Sequence, residues 1–219
     1  MYFVARLAVF AFGLVVLAFG ITLSINAELG ISPVSVLPYT ASMITGIQLG
    51  LSFAIFYIIF IAVQIILLRK RYRPLDLLQI VVSFVMGYLV QGVDFIMAGF
   101  TLQVYAGYAG QLAMMVLGIV LTAFGVALYI EARLVNLPPE GLVVAVVDVF
   151  PSRTFAQVKV FFDISLVILS VVLALVFAGT IYGVREGTIL SGLLVGKFVP
   201  VSKKVIVPVL GKMGYYQKS

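Results

Sequence analysis

The chain contains no cysteine, no histidine and no tryptophan among its 219 residues, and only 10% of them are charged. Without cysteine there is no disulfide and no thiolate nucleophile. Without histidine there is no imidazole base and no zinc or haem site of the usual kind. Carboxylates, hydroxyls, amides and the backbone are what remain for chemistry. No Walker-type loop, HExxH or GxSxG occurs either. The expectation is therefore a protein that is not an enzyme and uses neither cofactor nor metal.

The scarcity of charge excludes a soluble domain. With 63% hydrophobic residues and a mean hydropathy of +1.25, the chain belongs in a bilayer. The net charge of +6 does not point to nucleic acid, because the basic residues stand at the ends of apolar runs. There they act as topology signals and lipid-headgroup contacts. Expected partners are membrane lipid and a small-molecule solute, with a homodimer left open.

About 20 apolar residues cross a bilayer core as a helix. The predicted spans are Phe3–Ala27, Leu49–Leu68, Leu75–Ala98, Gly110–Ile130, Ala156–Phe177 and Gly187–Pro200, the last short unless it extends through Val201 toward Lys203. The N-terminal stretch reads as a span and not as a signal peptide, because it recurs inside the chain. Between the first and second spans lies Gly30–Thr45, interrupted by Pro33 and Pro38. Between the fourth and fifth lies Asn136–Phe150. Both are too short to cross, and proline at a first helical position predicts a helix start at Ser32-Pro33 and at Leu137-Pro138.

An internal repeat organises these segments. Gly13–Leu37 laid over Gly118–Leu142, a shift of 105 without a gap, gives 11 identities in 25 positions. They include Gly13/Gly118, Gly20/Gly125 and Pro33/Pro138. A period of that length marks a duplicated unit, with halves 1–105 and 106–219 inside one membrane domain. The basic run Arg69–Arg73 places the link after the second span in the cytoplasm. Counting outward puts both termini inside, in a multi-pass protein of the cell membrane, and the uncharged link Gly99–Ala109 outside. Three spans per half is an odd number, so the two copies must run in opposite directions. The expected fold is an all-α polytopic membrane protein of two inverted-topology repeats. Each repeat has three transmembrane helices and one Pro-interrupted re-entrant or half-helix segment, the plan of many secondary transporters.

That plan nominates the site. Ser32, Pro33 and Ser35 stand opposite Leu137, Pro138 and Glu140 in the duplication. Helix-start amides and the positive end of the dipole suit an anionic group, with Ser32, Ser35 and Asn136 adding polar contacts. Glu140 opposes an anion and suits a coupling cation or proton. Lys159 and Asp163, one turn apart on the fifth span, form either a pathway pair or a lysine that snorkels to the headgroups with Asp163 as its structural partner, and Asp94 marks the outer end of the third. Gln79 and Ser83 read as interhelical glue. Glu28 and Arg133, at equivalent ends of the first and fourth spans, read as solvated.

The segments Leu29–Leu37 (LGISPVSVL), Leu137–Leu142 (LPPEGL) and Gly183–Gly196 (GVREGTILSGLLVG) resemble the YczE/YyaS/YitT family of bacterial integral membrane proteins over essentially the whole chain. Val34 and Ser35 replace an aromatic and an acid of the family pattern, and Pro139 replaces a basic residue. The resemblance implies a fold and little about function. The expected function is a small secondary transporter or permease for a compact anionic or zwitterionic solute. The alternatives are a substrate-capturing membrane subunit of a multi-component transporter and a non-transporting accessory membrane protein.

Overall fold

The computed structural model describes residues 2–98, 107–212 and 215. Among them the chain forms eight α-helices and no strand: α1 (Tyr2–Asn26), α2 (Pro33–Thr45), α3 (Leu49–Leu68), α4 (Leu78–Ala98), α5 (Tyr108–Ala132), α6 (Pro138–Val149), α7 (Phe155–Ala178) and α8 (Glu186–Lys212). The order long, short, long, long occurs twice. Two 3-10 turns, Arg69–Arg71 and Pro74–Leu77, join α3 to α4. The predicted link Gly99–Ala109 lies largely outside the described residues.

Five of these helices (α1, α3, α4, α5 and α7) are long and apolar enough to cross a membrane. The sixth predicted span differs. Gly187–Pro200 is the first part of a 27-residue helix that continues through Pro200 and Pro208 to Lys212. Lys197, Lys203 and Lys204 dilute its hydropathy, and that is why it falls outside the apolar set. Proline did not end it: the ring removes one ladder hydrogen bond and kinks a helix, but the packed neighbour α5 holds the two parts together. The two short helices begin at Pro33 and Pro138, as the sequence predicts. At 13 and 12 residues they reach roughly 20 Å, short of a hydrocarbon core of about 30 Å.

Helices α1 and α5 form the centre. More than half of each apolar stretch is buried (56% in both), against 17% for α7. They meet through the repeated glycines. A Cβ on Gly20 would lie 2.9 Å from Gly118 O, and one on Gly118 would lie 2.9 Å from Gly20 O. Gly13 and Gly125 face each other in the same manner. Small residues let the two backbones approach this closely. Since Gly13 meets Gly125 and Gly20 meets Gly118, the two helices run antiparallel.

Packing continues across the halves. Helix α2 packs on α7 and α3 packs on α6, while α1 supports α4 and α5 supports α8. An apolar core of Leu14, Phe53, Tyr57, Met86, Tyr129 and Leu142 joins α1, α3, α4, α5 and α6. One pairing is missing from the second half: α3 packs along α4, whereas among the described residues α7 and α8 hardly touch.

Candidate site between the two proline helix starts

The gap between α7 and α8 holds a cavity of about 450 Å³. Ser32, Pro33 and Ser35 line it from the start of α2, and Pro139 and Glu140 from the start of α6. Lys159 and Asp163 line it from α7. Six of the nine residues nominated from sequence therefore face one space. The other three do not. Pro138 is buried with its carbonyl accepting from Gln64 Nε2 at 3.0 Å, Asn136 is exposed, and Asp94 sits half-buried on α4 outside the cavity.

The two helix starts are not equivalent donors. In α2, Pro33 has no N–H, and the amides of Ser35 and Val36 both bond Ser32 O at 2.9 Å. Val34, which also lines the cavity, carries the remaining first-turn donor. Ser32 makes no side-chain cap, and its Oγ donates to Ser35 Oγ at 2.9 Å. In α6, Pro138 and Pro139 lack N–H groups, and Gly141 N–H bonds Leu137 O at 2.8 Å. The one first-turn amide left belongs to Glu140, whose own carboxylate turns back on it. The second start therefore carries a carboxyl group of its own, a residue type favoured at a helix N-terminus.

Glu140 is otherwise poorly served. The hydroxyl of Tyr129 approaches it, yet neither that hydroxyl nor Glu140 Oε2 closes a hydrogen bond, and both atoms are buried. A buried polar atom without a partner is costly. Lys159 is near enough to act on Glu140, but its Nζ is engaged by Asp163 at 2.5 Å and lies 5.8 Å from the ring centroid of Phe162. Two carboxylates and one ammonium thus share the cavity, leaving an excess of one negative charge when all are ionised.

Several polar residues hold this arrangement, and all but Gln79 escape sequence reasoning. Gln64 and Gln79 exchange amide hydrogen bonds at 3.1 and 3.2 Å. With the Pro138 carbonyl they tie α3 and α4 to the start of α6, so Gln79 is glue as expected. Thr40 of α2 and Ser170 of α7 share a buried 2.6 Å hydrogen bond. Neither pair is visible as a pattern, since the partners lie on different segments.

Both central helices receive an arginine where they end. Arg6 Nε donates to Ala132 O at 2.9 Å and its NH2 group to Arg133 O at 3.2 Å, while Arg185 NH1 donates to Glu28 O at 3.0 Å. Glu28 and Arg133, equivalent in the repeat and exposed as expected, both take left-handed backbone (φ 57° and 50°), the conformation that commonly ends a helix. Beside Arg133, Glu131 pairs with Lys203 of α8 at 3.0 Å, and the Tyr215 hydroxyl donates to Glu131 O at 3.2 Å. Burial raises the Tyr215 phenol above its usual range, and neighbouring Arg6 opposes that shift.

Comparison with known proteins agrees with the family resemblance drawn from the proline segments. The chain is 28% identical over 198 residues to the uncharacterized protein YyaS of Bacillus subtilis (strain 168), covering 89% of this chain and 92% of that one. No solved structure matches. Residues 4–204 match the model of a family of unknown function, DUF6198, a span that takes in both helix starts, the cavity and six of the eight helices entire. The chain belongs to that family.

Proposed function

We propose that this protein is a small secondary transporter or permease, and that its solute is a compact zwitterion bearing an amino group. One observation carries the reading: the starts of the two short helices and the Lys159–Asp163 pair face a single cavity. Of the anionic and zwitterionic solutes open to a helix-start site, the charge count favours the zwitterion. An ammonium group meets the unpartnered oxygen of Glu140. The acidic end meets Val34 N–H and the serine hydroxyls of α2.

The inverted-repeat plan supports the transport reading. Gly13 and Gly20 exchange partners with Gly125 and Gly118, and α2 on α7 is matched by α3 on α6. Both relations survive swapping the halves 1–105 and 106–219 of the one membrane domain. The α3–α4 contact, closed where α7–α8 is open, breaks that symmetry. Two inverted copies in unlike conformations describe one state of an alternating cycle, and exchanging their conformations describes the other.

The test is thermal stabilisation of the purified protein by a panel of free amino acids, paired with uptake into proteoliposomes. A bound ligand raises the apparent melting temperature. Stabilisation should disappear in both Ser32→Leu and Glu140→Gln without loss of folded protein. If Ser32→Leu alone loses it, the site belongs to the first half and the two-sided reading fails.

A further inference from the structure

The wall between α7 and α8 determines more about the solute than its head. On α7 and α8 every wall residue outside the charged pair is apolar or small, and several of them are also exposed on the outer surface. Val160 is 59% exposed while lining the cavity. On α8, Gly192, Gly196 and Pro200 recur at four-residue spacing, line the same space and are exposed. A Cβ on Gly196 would meet no atom within 4 Å. Because α7 is a membrane-crossing helix and hardly touches α8, this slot faces the side of the bundle. A helix of that length and hydropathy takes hydrocarbon against its outer face when it crosses a bilayer. At its inner end waits the buried, unpartnered Glu140 oxygen.

Resting on the zwitterion reading above, we infer that the solute is amphipathic, with its amino-bearing head at Glu140 and an apolar arm in the α7–α8 slot, reached from the bilayer. The volume supports this. About 450 Å³ is the size class of sites for drug-sized ligands, roughly 300–1,000 Å³, and leaves room for an apolar arm beside a compact zwitterionic head. A glycine and proline wall makes room for a chain, and Pro200 brings no N–H to it. An arm leaving the cavity there stays in apolar surroundings, so its transfer exposes no hydrocarbon to water.

Two probes test it in proteoliposomes and detergent. The chain lacks cysteine, so a nitroxide can be placed at Gly196→Cys, with Val160→Cys as the second position on the opposite wall. Dissolved oxygen should relax either label strongly, and a water-soluble nickel chelate should do so weakly. In parallel, 2-aminodecanoate should bind roughly tenfold or more tighter than 2-aminobutyrate, since each buried methylene adds to affinity. Gly196→Leu should erase that gain, bringing the affinities of the two acids together. Strong relaxation by nickel, or equal affinity for the two acids, overturns the lateral slot and leaves the Glu140 head site standing. If neither acid stabilises the protein, the zwitterion reading falls and the inference falls with it.

Discussion

The α3–α4 pair and the α7–α8 pair occupy equivalent places in the repeat, yet one is shut and the other is open. In α3–α4, Gly50 and Gly87 sit so close that a Cβ on either would collide with the other's carbonyl oxygen. Gln91 Oε1 accepts from Gly50 N–H at 3.1 Å across the seam, and the Gln64–Gln79 pair closes the far end. In α7–α8 there is no such glycine contact. Gly192 and Gly196 look into a cavity, and the polar groups near it are ionic and only partly satisfied. Glycine can bring two helices together or keep them apart. Which it does depends on whether the opposite wall offers a backbone to touch.

The contrast can be broken most forcefully at the shut seam. Gly50→Leu should cost more than the roughly 1–3 kcal/mol usual for overpacking, because the obstacle is a main-chain carbonyl. Loss of folded protein in size-exclusion chromatography is the expected result, whereas Gly196→Leu should elute and melt as wild type. Equal damage from both would mean that the slot is as tightly packed as the seam.

A smaller effect is expected from the ion pair of the open side. Removing one partner of a buried pair costs about 3–5 kcal/mol in soluble cores. Lys159 and Asp163 retain 27% and 17% side-chain exposure, so about 1–3 kcal/mol is expected for Asp163→Ala or Lys159→Ala. The double variant should melt close to wild type. If each single variant already does so, the pair is hydrated and the cavity is wetter than its lining suggests.

Next in size is the amide pair. Gln79→Leu strands the amide of Gln64, a loss of about 1–2 kcal/mol, and the Gln64→Leu/Gln79→Leu double variant should recover part of it. Circular dichroism melts would read this directly. The smallest change should come from Arg6→Ala, which leaves the last carbonyls of α5 to water or lipid headgroups. It should lower stability by about 0.5–1 kcal/mol. A drop comparable to that of Gly50→Leu would show that the arginine does more than cap.

Most of the helix framework was legible because proline speaks plainly. Pro33 and Pro138 start α2 and α6 as predicted, and apolar run length gave five of the long helices within a few residues at each end. The last span is short if it ends at Pro200 and longer if it passes Val201, and α8 takes the longer course through Pro200 and Pro208. The site was half legible. Duplication singled out Ser32, Pro33, Ser35 and Glu140, since equivalent positions can be aligned on paper. Asn136 matched by type alone, and one residue of register was enough to leave it outside. Gln64, Tyr57 and Tyr129 were not found because their roles depend on how α3 and α5 face α6. Neither period nor spacing records that.

The arginine at the end of α1 has a consequence for how the protein is made. Arg185 is separated from Glu28 by 157 positions. At about 5–20 residues per second of synthesis, roughly eight to thirty seconds pass between the first helix leaving the ribosome and the arrival of its cap. During that interval α1 also lacks α5, its glycine partner. The first half is then an unfinished object in the membrane, with exposed carbonyls at one end and a bare glycine face along its side. Insertion machinery must tolerate it, or hold it, until the second half emerges. A gene cut between the halves should therefore yield two fragments that are unstable when made apart and durable when made together.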